Sequence, residues 1–111
     1  MKDVYTEQDI SELKTMILRV VPAVKEIILF GSYAKGTASS GSDLDILLLF
    51  SEDPDWRTRR DILNRLYRLM AKEGYCVDFV LKSKSGYVRD MRLPTLSRTI
   101  SREGRMLWMQ S

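Results

Sequence analysis

The chain has 111 residues, enough for one domain and too few for two, and its 44% hydrophobic and 30% charged content is that of a folded globular protein. It contains no histidine and one cysteine, Cys76, which excludes histidine bases, triads and metal ligands as well as a disulfide framework or a cysteine-rich zinc site. The net charge of +3 conceals an acidic half and a basic half: residues 1–55 carry 5 Lys or Arg against 10 Asp or Glu (−5), and residues 56–111 carry 13 against 5 (+8). The longest apolar run, Ile46 to Phe50, is far too short to span a bilayer, and the polar N-terminus lacks the apolar stretch of a signal peptide. These features predict a cytoplasmic location with no membrane association.

Residues 7–20 read as a helix. Thr6 is placed to cap it, Asp9 follows three residues on, and Ile10, Leu13, Ile17 and Val20 recur at helical spacing until Pro22 ends the run. Residues 25–30 (KEIILF) read as a buried strand stopping at Gly31. A glycine- and serine-rich loop follows, with room for one helical turn around residues 33–36. Residues 44–50 (LDILLLF) form a second strand interrupted only by Asp45. The longest helix is expected over 55–73, with Trp56, Ile62, Leu63, Leu66, Leu69 and Met70 as its apolar stripe, and Gly74 as its stop. Trp56, Tyr67 and Met70 are expected in the core, and Cys76 as a small buried hydrophobe. Residues 76–81 (CVDFVL) read as a third strand with Asp78 in its middle. A short helix over 86–92, a helix opened by Pro94 at its first position and ended by Gly104, and an edge strand over 105–109 complete the chain. This order predicts an α+β fold occupying residues 1–111: a small mixed β-sheet with helices packed mainly on one face.

Three carboxylates interrupt the apolar strands. Asp43 and Asp45 are two residues apart, so strand alternation puts both on one face, about 7 Å apart along the backbone. Asp78 sits between Val77 and Phe79. A carboxylate beside a strand core is costly unless it is paired, protonated or bound to a cation, and these segments contain no lysine or arginine. A divalent cation with hard oxygen ligands, such as Mg²⁺, is the economical explanation. The Gly31-Ser32 turn at the end of the first strand suits a phosphate, because glycine admits close backbone approach and turn N–H groups can face an anion. Lys35, in the same loop, reads equally well as a phosphate contact or a solvated lysine. The arginines of 57–72 read as a solvated helix face; without interleaved aromatics they argue against direct nucleic-acid binding.

The segment GSYAKGTASSGSDLDI resembles the signature of nucleotidyltransferases with a DNA polymerase β-like palm: Gly31, Ser32, Ala34, Lys35, Gly36, Ser42, Asp43 and Asp45 stand at its pattern positions, and Asp78 where a third carboxylate is expected. The small size and the ending TISREGRMLW resemble the minimal nucleotidyltransferases, stand-alone catalytic cores often paired with a HEPN-domain toxin. Lys35 departs from the usual arginine and cannot form its planar two-donor fork. The resemblance implies that Asp43 and Asp45 hold metal, that Gly31 and Ser32 bind the β- and γ-phosphates of a nucleoside triphosphate with Lys35 and Ser42 beside them, and that Asp78 binds a second Mg²⁺ and accepts the proton of the attacking hydroxyl. It implies ATP as donor, a tyrosine hydroxyl on a HEPN toxin as acceptor, and an antitoxin role. Two alternatives are an antitoxin that neutralises its partner by binding alone, and an antibiotic-modifying type of nucleotidyltransferase. The shortage of residues for an acceptor pocket argues against the second.

Overall fold

The computed structural model describes residues 4–111. In chain order the elements are α1 (Glu7–Val20), β1 (Glu26–Phe30), α2 (Ser32–Lys35), β2 (Leu44–Phe50), α3 (Trp56–Glu73), β3 (Val77–Ser83), α4 (Lys84–Asp90), α5 (Leu96–Glu103) and β4 (Arg105–Met109). The Thr6 hydroxyl accepts the Asp9 N–H at 3.1 Å while the Asp9 carboxylate accepts the Thr6 N–H at 2.8 Å, a reciprocal cap that fixes where α1 begins. Asp55 caps α3 through the Thr58 N–H, and Gly74 ends it in a left-handed conformation.

The strands form one mixed sheet in the order β3-β2-β1-β4. β2 and β3 run parallel, joined by the α3 crossover, whereas β1 pairs antiparallel with both β2 and β4. Alternation divides β2 between two cores. Leu44, Ile46, Leu48 and Phe50 face α1 and α3, where they meet Leu13, Ile17, Leu66 and Met70 in the larger core. Leu47 and Leu49 face the other way and pack with Ile28 under Tyr87 of α4 and Ile100 of α5. The unbroken apolar run of β2 reflects burial on both faces. Each fully buried leucine or isoleucine, Leu13, Ile17, Ile46 and Leu48 among them, contributes about 2 kcal/mol of hydrophobic stabilisation.

The outer edge of β3 is covered by side chains. Tyr67 Oη accepts the Phe79 N–H at 3.0 Å, Arg59 Nη1 donates to the Leu81 carbonyl at 2.8 Å, and Asp53 Oδ1 accepts the Ser83 N–H at 2.8 Å. At the opposite edge, the pairing of β4 with β1 shifts register between Ile27 and Ile28.

Several expectations are corrected. Trp56 is 65% exposed, not core; it lies on the solvent side of α3, with the Arg57 and Arg60 guanidinium carbons 5.3 and 5.1 Å from its ring centroid. Tyr67 is also exposed along part of its ring, because its hydroxyl reaches out to the edge of β3. Cys76 is half-buried. β3 starts and ends later than expected and α4 begins two residues earlier, because Ser83 closes the strand and caps the helix through the Gly86 N–H. α5 starts at Leu96, not Pro94: Thr95 supplies a side-chain acceptor for the Arg98 N–H, which proline cannot. No helix among the described residues is long and apolar enough to cross a membrane.

Candidate active site

The site forms where β1 ends and β2 and β3 begin, on the sheet face shared with α4 and α5. Gly31 turns the chain out of β1 with φ 74° and ψ −155°, a combination that is nearly exclusive to glycine. It also leaves space for a neighbour: a Cβ at this position would fall on Asp45 Oδ2 and lie 3.1 Å from Asp45 Cγ. The single turn of α2 follows, so Ser32 and the Asp45 carboxylate flank the same glycine.

Asp45 and Asp78 are register partners in the parallel β2–β3 pair, each the second residue of its strand. Asp43 is exposed just before β2, and Asp78 is exposed as well, while Asp45 is half-buried. Burial pushes the Asp45 carboxyl above the ordinary carboxylate range, and the charges of Asp78 and then Asp43 push it further. The three carboxylates therefore share one electrostatic neighbourhood, and the structure brings Gly31 and Ser32 to the same place. They are not drawn into one coordination sphere: among the described residues no three His, Cys, Asp or Glu side chains form a ready-made metal cluster. Nor does any described lysine or arginine form an ion pair with Asp43, Asp45 or Asp78. Hard oxygen donors without a described countercharge, one of them raised by burial and then by like charge, suit Mg²⁺.

Lys35 and Ser42 are placed differently. Lys35 Nζ lies 3.3 Å from Glu103 Oε2, linking α2 to the end of α5. Both side chains are nearly half exposed, so the pair contributes at most about 1 kcal/mol and leaves Lys35 able to turn to another anion. The Ser42 hydroxyl accepts the Ser39 N–H at 3.0 Å, and its own N–H donates to the Ser39 carbonyl at 3.0 Å. It shapes the loop that delivers Asp43, and its O–H remains a donor.

Three tyrosines that no sequence motif marks, Tyr5, Tyr33 and Tyr75, form a cluster behind the site. Tyr33 Oη accepts the Tyr5 N–H at 3.0 Å, and Tyr5 Oη accepts the Cys76 N–H at 2.6 Å. The rings of Tyr5 and Tyr75 stack at 5.4 Å, and Tyr75 Oη donates to the Asp9 carbonyl at 3.3 Å. The available signal was the phenol group itself, which seeks a partner when its ring is buried. A cleft lined by Glu12, Met16, Leu69 and Tyr75 lies between α1 and α3, behind the sheet and away from the carboxylates.

A mixed sheet carrying an acidic pair at the start of one strand, a third carboxylate beside it and a glycine-serine turn against them defines a nucleotidyl-transferring palm. The chain belongs to the nucleotidyltransferase domain family, which it matches over residues 10–106. It is 35% identical over 91 residues to a candidate protein adenylyltransferase of Methanocaldococcus jannaschii, covering 80% of this chain and 90% of the relative. It is 41% identical over 68 residues to the protein adenylyltransferase MntA of Thermococcus cleftensis, covering 60% of this chain and 66% of the relative. It also superposes on the crystal structure of a toxin-antitoxin with AMP-PNP, with TM-score 0.62 and 26% identity, over 91% of this chain and 74% of that one.

Proposed function

We propose that this nucleotidyltransferase transfers AMP from ATP to a hydroxyl on a HEPN-domain toxin in the cytoplasm, with Mg²⁺, and so acts as that toxin's antitoxin. The observation that carries this reading is the Asp45 carboxylate seated against Gly31 and level with Asp78 across the sheet. The names of the relatives support AMP as the transferred group, and the resemblance to minimal nucleotidyltransferases supports the HEPN partner.

Asp43 and Asp45 would hold Mg²⁺ and Asp78 a second ion. Bound there, the cations would neutralise phosphate charge and acidify the attacking hydroxyl. Gly31 allows the backbone to approach the β- and γ-phosphates, Ser32 donates its hydroxyl to them, and Lys35 adds a cation as it leaves Glu103. Asp78 takes the proton from the acceptor hydroxyl. That oxygen forms a bond to the α-phosphorus while the bond from the α-phosphorus to the bridging oxygen breaks. The products are AMP-acceptor and pyrophosphate.

The test is incubation of the chain with α-labelled ATP, Mg²⁺ and the protein encoded beside it. Label on the partner, reduced about a thousandfold or more by Asp43→Asn or Asp45→Asn, supports the assignment. Neutralisation of the partner by both variants with no label transferred by the wild type points to binding alone and refutes it. Asp78→Asn is expected to retain much of the nucleotide affinity and to lose turnover.

A further inference from the structure

The glycine-serine turn and the carboxylates come from separate stretches of chain, and a line of hydrogen bonds joins them. Tyr33, the second residue of α2, holds the Tyr5 N–H through its phenol oxygen. Tyr5 holds the Cys76 N–H through its own phenol. The Cys76 carbonyl accepts the Leu44 N–H at 3.0 Å. Leu44 lies between Asp43 and Asp45, and Cys76 lies two residues before Asp78. The Tyr5 and Tyr33 rings pack at 5.7 Å with 59° between their planes, and Tyr5, at the middle of the line, is 5% exposed.

We propose that Tyr5 and Tyr33 are positioning residues that set the distance between the phosphate-gripping turn and the three carboxylates. The inference rests on the reading of the site given above. Neither phenol touches substrate. A triphosphate held at one end by the turn and at the other by carboxylate-bound cation is sensitive to that distance, since a misplacement of about 1 Å costs on the order of a hundredfold in rate. Phenylalanine keeps each ring in place and removes only the hydroxyl.

The test is ATP binding to the full chain, titrated calorimetrically with and without Mg²⁺, for the wild type, Tyr5→Phe, Tyr33→Phe and the double variant. In the wild type Mg²⁺ strengthens ATP binding, because turn and carboxylates then grip one ligand. Each single variant is expected to bind metal-free ATP within about twofold of the wild type and to lose about tenfold of the Mg²⁺ enhancement. The double variant should lose no more than the weaker single, as befits one shared line. An undiminished enhancement in both single variants overturns the proposal. So do losses that multiply in the double variant, and so does a loss of affinity equal with and without Mg²⁺, which would assign the hydroxyls to stability alone. If the wild type itself shows no Mg²⁺ enhancement, the functional reading fails first and the proposal falls with it.

Discussion

Asp45 and Asp78 stand level with each other on neighbouring parallel strands, two like-charged side chains on one face of the sheet. Like charges directly opposite are destabilising in a sheet, and here burial adds to the penalty at Asp45. The fold thus carries an electrostatic cost at the place where cation chemistry is expected.

That cost is measurable. The folded Asp45 carboxyl binds its proton more tightly than the unfolded one, so stability falls as pH rises from the ordinary carboxylate value of 3.8 through the raised folded value, and is level above it. Asp45→Asn removes the penalty. Its thermal midpoint should exceed that of the wild type at pH 7, with the gap closing as pH drops below about 4. Mg²⁺ should raise the midpoint of the wild type more than that of the variant. Calorimetric scans across pH, with and without the ion, check both statements.

Gly31→Ala combines backbone strain with a collision against Asp45. The backbone term alone is of order 1–3 kcal/mol, and the displaced carboxylate should remove transfer activity. Urea denaturation and labelled-ATP transfer report the two effects separately.

Tyr75 is pushed up to about 12, chiefly by burial and then by the nearby carboxylates of Asp9 and Glu12. Its phenol stays neutral in the folded state at pH values where an unfolded tyrosine ionises, near 10. Its contribution to stability is therefore complete below pH 10 and declines as pH climbs towards 12. Burial raises Tyr5 and Tyr87 as well, so absorbance at the phenolate band should show ionisation continuing above pH 10, and Tyr75→Phe should remove the latest part of that rise.

Trp56→Ala tests the correction at the start of α3. A side chain 65% exposed, with contacts to two solvated arginines, should change stability by no more than about 0.5 kcal/mol. Its removal should also delete the red-shifted component of the tryptophan emission and leave that of the half-buried Trp108. Loss of several kcal/mol would restore Trp56 to the core.

Much of this architecture was legible because local and global signals agree. Thr6 and Asp9 announce α1, Gly74 ends α3, and the apolar runs ending at Phe30 and Phe50 give β1 and β2. Gly31, Asp43, Asp45 and Asp78 stood out because glycine and carboxylates interrupt otherwise apolar strands. The errors arose where one residue type serves two purposes. Trp56 fits the apolar stripe by type, but as the first residue of α3 it is left to solvent and to Arg57 and Arg60. Pro94 suits a first helical position, yet the neighbouring threonine offers a cap. The tyrosine line joins residues 5, 33 and 76, and no local pattern registers contacts so distant in sequence.

The outer border of β3 is partly closed by side chains. With the Phe79 N–H, the Leu81 carbonyl and the Ser83 N–H already engaged by Tyr67, Arg59 and Asp53, a foreign strand finds only an interrupted ladder there. Crowded copies of the protein are hindered on that route to fibrillar stacking, and a partner approaching from that side meets side chains before backbone.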